Sequence, residues 1–191
     1  MVKISPKKQQ KQEALDAIAA EIAICKICQK NKIGVAVPGE GNPDAQIVFL
    51  GEAPGKQEAV SGRPFIGRSG KVLRELISEL GLTPEEVFIT SPVKYLPEYV
   101  TPTPEDIAHG KIHLEKQLAV IEPSVIVLLG RVAALAALGN VGAVLKNHGT
   151  VIEQNGRNYF ITIHPAAPLY APKLKPVLVA DFEKLKLFLK R

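Results

Sequence analysis

Three short stretches hold the side chains best suited to chemistry. The first is GEAPGKQEAVSGRPFIGRSGK, residues 51–71. Its glycines, Gly51, Gly55, Gly62, Gly67 and Gly70, let the backbone turn tightly and come close to a ligand. Glu52 follows directly on an apolar run, and Phe65 offers a flat ring. The phosphate-loop frame GxxxxGK[ST] does not fit the stretch. It reads as a loop whose backbone amides surround a polar ligand with Phe65 as a stacking surface; the plainer alternative is a surface loop with Phe65 plugging the core. The second is His164, between FITI and PAAP and fixed by Pro165. An imidazole leaving the core there can donate a hydrogen bond or stabilise developing negative charge. The third is CKIC, with Cys25 and Cys28 at the spacing of a metal or redox pair. Two thiolates alone do not complete a tetrahedral site.

The elements that position these groups alternate in type. KQEALDAIAAEIAIC predicts an amphipathic helix. AQIVFLG (45–51), EVFITS (86–91) and SVIVLLG (124–130) predict buried strands. SGKVLRELISELG (69–81) predicts a helix capped by Ser69 and stopped by Gly81. Residues 101–123 predict a long helix after a Thr/Pro start, and RVAALAALG (131–139) a short one. Residues 149–165 predict a hairpin around Asn155-Gly156. LVADFEKLKLFLKR predicts a closing helix. This alternation argues an α/β fold with a mostly parallel sheet, in which ligands sit beyond the carboxyl ends of the strands. Three of those ends are Gly51-Glu52, Thr90-Ser91 and His164-Pro165. The 191 residues are expected to form one domain, 1–191, with a net charge of +5 that favours a polyanionic partner. The N-terminus lacks the apolar core of a secretory signal, and no apolar run is long enough to span a bilayer, so a cytoplasmic protein with no membrane partner is expected.

GEAPGKQE, GRPFIGRSGKVL, ITSPVKYLP, PSVIVLLG and IHPAAPL, in that order and spacing, resemble the uracil-DNA glycosylase superfamily, most of all its family 4, the thermostable iron–sulfur branch. The resemblance runs from CKIC to the last helix. It implies a three-layer α/β/α fold with a central, mostly parallel sheet, and an enzyme that flips uracil out of DNA and hydrolyses its N-glycosidic bond. By the same resemblance Glu52 and the backbone from Ala53 to Gly55 meet the base and the attacking water. Phe65 stacks on the uracil, and His164 holds its O2 and stabilises the anionic leaving group. Ala166, Ala167, Leu169 and Tyr170 belong to the segment that enters the DNA, with Leu169 as its wedge. Ser69 and nearby amides meet a DNA phosphate.

The chain departs from the family pattern in two places. The family's four cluster cysteines are matched only at Cys25 and Cys28; the other two positions hold Tyr95 and Gly110. A 4Fe–4S cluster is therefore not expected. His109 and His113, four apart on one helical face beside the lost cysteine, complete a Cys2His2 zinc set on paper. The expectation preferred to it is a vestigial cysteine pair, two solvated histidines and no cofactor. The second departure is Ser91, where the family usually has an asparagine that reads the uracil edge. In addition, Tyr170 replaces a common arginine, and His148-Gly149 a common Arg-Gly. The resulting expectation is a monomeric uracil-DNA glycosylase of base excision repair, acting on single- or double-stranded uracil-containing DNA. Two alternatives stand beside it: a glycosylase for another deaminated base, hypoxanthine or xanthine, and a non-catalytic DNA-binding module of the same fold.

Overall fold

The computed structural model describes residues 5–99, 101–139 and 144–190. The chain opens with helix α1 (Pro6–Ile24), capped by Ser5, whose hydroxyl accepts from the Lys8 amide. The one-turn α2 (Lys26–Gln29) and the short strands β1 (Lys32–Ile33) and β2 (Glu40–Gly41) follow. Then come β3 (Ile47–Leu50), α3 (Lys56–Ser61), α4 (Arg68–Glu79), β4 (Phe88–Thr90) and β5 (Leu96–Pro97). The long α5 (Pro104–Ile121) starts at a capping box in which Thr103 and Asp106 each accept from the other's backbone amide. The chain closes with β6 (Val125–Leu129), α6 (Arg131–Leu138), α7 (Val144–Asn147), β7 (Thr150–Gln154), β8 (Arg157–Thr162), α8 (Ala167–Tyr170), a 3-10 turn (Pro172–Leu174) and α9 (Lys175–Leu189).

The main sheet has the order β2-β4-β3-β6-β8-β7. Its four inner strands are mutually parallel, and the edge strands β2 and β7 are antiparallel to their neighbours. Alternate residues along each inner strand feed opposite faces, as the strand period requires. Val48, Leu50, Ile126 and Leu128 join α1, α5 and α6 in one apolar cluster. Ile47, Phe49, Val125 and Val127 join α4 and α9 in another. Helices on both faces of a mostly parallel sheet make the three-layer α/β/α arrangement that the sequence implies. The hairpin turns through Asn155 and Gly156, both at positive φ (53° and 72°), as its sequence predicts.

The sequence misplaces three local features. Ser69 is not the N-cap of α4: Gly67 holds that position, and Ser69 lies inside the first turn. The 51–71 loop contains a helix, α3, and residues 166–170 are mostly the single turn α8. Short helices of this kind carry too few periods for an apolar pattern to show.

Candidate active site

A cavity of about 430 Å³ opens where β3, β4 and β8 end. Glu52, Ala53, Gly55, Phe65, Ser69, Ser91, His164, Ala166 and Tyr170 all line it. The structure thus brings together residues spread over more than half of the chain. Ala167 and Leu169 do not line the cavity. Ala167 packs on the apolar cluster beneath α8, while Leu169 is part-exposed on the same turn, next to the largely exposed Tyr170.

Phe65 explains much of the glycine in the loop. It has a positive φ of 51°, and its ring lies 5.8 Å from the His164 ring at an interplanar angle of 29°. A Cβ on Gly51 would sit 2.6 Å from the Phe65 ring, and a Cβ on Gly70 would overlap the Phe65 carbonyl. Both positions must be bare for the ring to stand against the cavity. The loop is held by Glu58 of α3, a residue the sequence reading did not single out. Its buried carboxylate accepts from the amides of Ile66 and Gly67 at 2.9 and 2.8 Å. Glu58 therefore supplies a negative partner at the N-terminus of α4, where the helix dipole favours one. The only sequence signal is an acid between glycine turns, which a solvated surface position would share.

Burial shifts the two ionisable groups in opposite directions. Desolvation raises the pKa of Glu52 and lowers that of His164 to about 4. His164 Nδ1 accepts from the Ala166 amide at 3.1 Å, which leaves the proton of the neutral ring on Nε2. The imidazole is thus a fixed neutral donor at pH 7. Ser91 is buried and donates to the Val93 carbonyl at 2.8 Å. With its proton committed, the hydroxyl can only accept from a ligand.

Behind Ser91 lies Lys94, another residue absent from the sequence reading. It is 1% exposed and donates to Pro38 O, Thr90 Oγ1 and Gln117 Oε1 at 3.1, 2.8 and 2.7 Å. Burial pushes its pKa down to about 7. Farther along the same wall a second cavity, of about 440 Å³, is lined by Cys28, Lys94, His109 and Gly110 among others. Its Cys28 and His109 converge with Cys25 and His113, one donor atom from each lying within 4.8 Å of the others. This group is able to hold a metal ion. His109 is part-buried and His113 buried, so the expected solvated histidines are not what the fold provides. Burial, with a hydrogen bond donated to Cys25, pushes the Cys28 thiol up to about 12.

A doubly covered, mostly parallel sheet with an acid, an aromatic ring and a neutral imidazole around a cavity at its strand ends defines the class: an α/β/α protein whose cavity can hold a flat polar ring. The comparisons narrow it. A model of the uracil DNA glycosylase superfamily matches residues 38–186. The chain is 38% identical over 188 residues to a type-4 uracil-DNA glycosylase of Sulfurisphaera tokodaii, covering 91% of this chain and 84% of that protein. It is 39% identical over 183 residues to one of Archaeoglobus fulgidus, covering 91% and 92%. It is 37% identical over 188 residues to one of Thermotoga maritima, covering 95% and 97%. The chain belongs to the uracil-DNA glycosylase superfamily.

Proposed function

We propose that the cavity at the ends of β3, β4 and β8 receives a uracil rotated out of DNA, and that Glu52, Phe65, Ser91 and His164 act on it there. The reaction is hydrolysis of the N-glycosidic bond of uracil in DNA, as family membership and the type-4 relatives support. A base inside a stacked duplex is out of reach, so the nucleotide must leave the stack before the bond can break.

The observation that carries the reading is His164, a neutral imidazole whose Nδ1 is occupied by the Ala166 amide. Its Nε2–H donates to uracil O2. As the N1–C1′ bond breaks, the electron pair leaves with the base, and this donor stabilises the resulting anion in a site where fixed dipoles need no reorganisation. Phe65 stacks on the ring. Glu52 is the carboxylate that orients water at C1′ and takes its proton as the oxygen bonds to the sugar; its raised pKa makes it a better base than an exposed acid. Ser91 accepts from N3–H. Because its own proton goes to Val93, it does not donate to O4.

Around the cavity, Leu169 of α8 is the wedge that fills the space the base vacates, beside Ala166, Ala167 and Tyr170. Ser69, in the first turn of α4, meets a phosphate. The chain works as a monomer, in the cytoplasm, on single- or double-stranded DNA. Among the described residues no helix is long and apolar enough to cross a membrane.

The unread O4 edge favours a second reading, in which the lesion is hypoxanthine or xanthine. Oligonucleotides carrying each base, single-stranded and duplex, separate the readings. Release of uracil is the expected outcome. Release of only another base supports the second reading, and binding without release supports the non-catalytic one.

A further inference from the structure

We infer that Cys25, Cys28, His109 and His113 form a mononuclear Cys2His2 zinc centre that pins the Cys25–Cys28 turn to α5, in a place where an iron–sulfur cluster does not fit. The first observation is convergence. The four donor atoms lie within 4.8 Å of one another, and Cys25 Sγ is 3.2 Å from His109 Nε2. Tetrahedral zinc, with bonds of about 2.3 Å to sulfur and 2.0–2.1 Å to nitrogen, sets its donors roughly 3.3–3.8 Å apart. Side-chain rotations of about 1 Å close the remaining gap.

The second observation is His113. It is 2% exposed, and neither ring nitrogen has a hydrogen-bond partner among the described residues. A buried, unpaired imidazole is costly and calls for an explanation. Glu21 Oε1 lies 3.6 Å from Nδ1, too far for a good hydrogen bond but on the side from which a carboxylate orients a ligating ring. Nε2 is then the nitrogen that faces the metal.

The third observation excludes the cluster. Four irons each take their own thiolate, and the cluster's bulk keeps those thiolates apart. Only two cysteines are present in the chain. Tyr95 fills one of the two remaining positions, buried and donating to the Ile22 and Ala23 carbonyls. At the other, Gly110, a Cβ would overlap the Pro92 carbonyl. Two thiolates and two imidazoles also serve a two-iron cluster, but there the sulfurs and nitrogens sit on different irons, well apart; with Cys25 Sγ 3.2 Å from His109 Nε2 and all four donors within 4.8 Å of one another, the set closes on a single tetrahedral ion, and its donors suit zinc. Binding exchanges two S–H protons for one Zn²⁺, so the centre is electrically neutral and two protons leave to solvent.

The consequence is mechanical. Cys25 both ends α1 and begins α2, and it lies 84 positions from His109. Pinning this turn to α5 also holds β1, which pairs with β5 and contributes Ile33 to the base cavity.

The test uses the full chain. Elemental analysis after anaerobic and aerobic purification should find about one zinc and negligible iron per chain. Cobalt(II) added to the zinc-stripped protein should give the visible bands and sulfur-to-metal charge transfer of a tetrahedral S2N2 site, and zinc should abolish them. Zinc removal should lower the melting temperature by roughly 5 °C or more, reversibly. Cys28→Ser and His113→Asn should each lose the cobalt spectrum. Two or four irons per chain would overturn the proposal. So would cobalt(II) remaining octahedral with the zinc-stripped chain of unaltered sequence, a result that does not depend on any variant folding.

Discussion

The two cavities are nearly equal in size, about 430 and 440 Å³, and share the wall made by Pro97 and Glu98, yet they are built in different ways. The base cavity collects loops that each leave the end of a parallel strand, so its groups sit at positions the sheet dictates. The metal cavity collects a turn between two helices and one face of a third, which no strand register fixes. The first holds Glu52 and His164, neither of them shifted by an opposite charge and both displaced toward neutrality by burial. The second borders Lys94, fully satisfied by three acceptors. A cavity that keeps unpaired functional groups is arranged for a transient ligand. One bordered by sulfur and nitrogen donors, with a buried, unpaired histidine beside them, suits the permanent ligand proposed above.

Substitutions in one cavity should therefore leave the other's property intact. Glu52→Gln removes the proposed base and should slow uracil excision roughly 10²–10⁴-fold, with metal content unchanged. Single-turnover rates and elemental analysis on the same preparation check both halves, and parallel loss of metal would break the separation.

Glu58→Ala should act on the base cavity through its scaffold. Two part-buried backbone amides lose a carboxylate partner, so stability should fall by about 1–2 kcal/mol, and excision should weaken as Phe65 loosens. Chemical denaturation with the excision assay measures both. Unchanged stability would show that the loop does not depend on Glu58.

The smallest expected effect is at Ser91. An asparagine amide can meet O4 and N3–H together, whereas the serine hydroxyl accepts only once. One added contact of about 1 kcal/mol should raise excision of uracil severalfold in Ser91→Asn. A lower rate would mean that the serine belongs to a differently arranged pocket, and would favour the reading with another deaminated base.

How far each cavity was legible in the sequence follows from its construction. Glu52, Ser91 and His164 follow apolar runs that announce strands, and strand ends are where such sheets bind ligands, so local pattern pointed to the site. Phe65 was conspicuous as the one aromatic in a glycine-rich stretch, although its contacts with Gly51 and Gly70 are tertiary and left no trace in spacing. Glu58 and Lys94 were invisible for a plainer reason: their importance lies in burial, and an acid between glycines or a lysine after a strand is ordinarily solvated. For the metal group the CxxC and the His109–His113 spacing were each readable. Their convergence comes only through the family resemblance, which sets the lost cysteine beside His109 and His113, and a vestigial pair is the expectation preferred to it; spacing alone does not show it, because it depends on how α1 and α5 pack.

The central claim is that His164 acts as a neutral donor to a uracil anion, and the pH profile of single-turnover excision tests it most directly. Folded His164 takes up its proton only near pH 4, against 6.5 when solvated. The unfolded chain therefore binds more protons between those values, and the fold loses this contribution to its stability as pH falls through that window. The rate should show no inflection near 6.5 that comes from His164; protonation of Glu52, whose pKa burial raises, should lower it, and His164 should take up its proton only near pH 4. His164→Ala should be about 100-fold slower or more at neutral pH while binding DNA as tightly. A rate unchanged by that substitution, or a wild-type inflection near 6.5 that the substitution abolishes, would contradict the account.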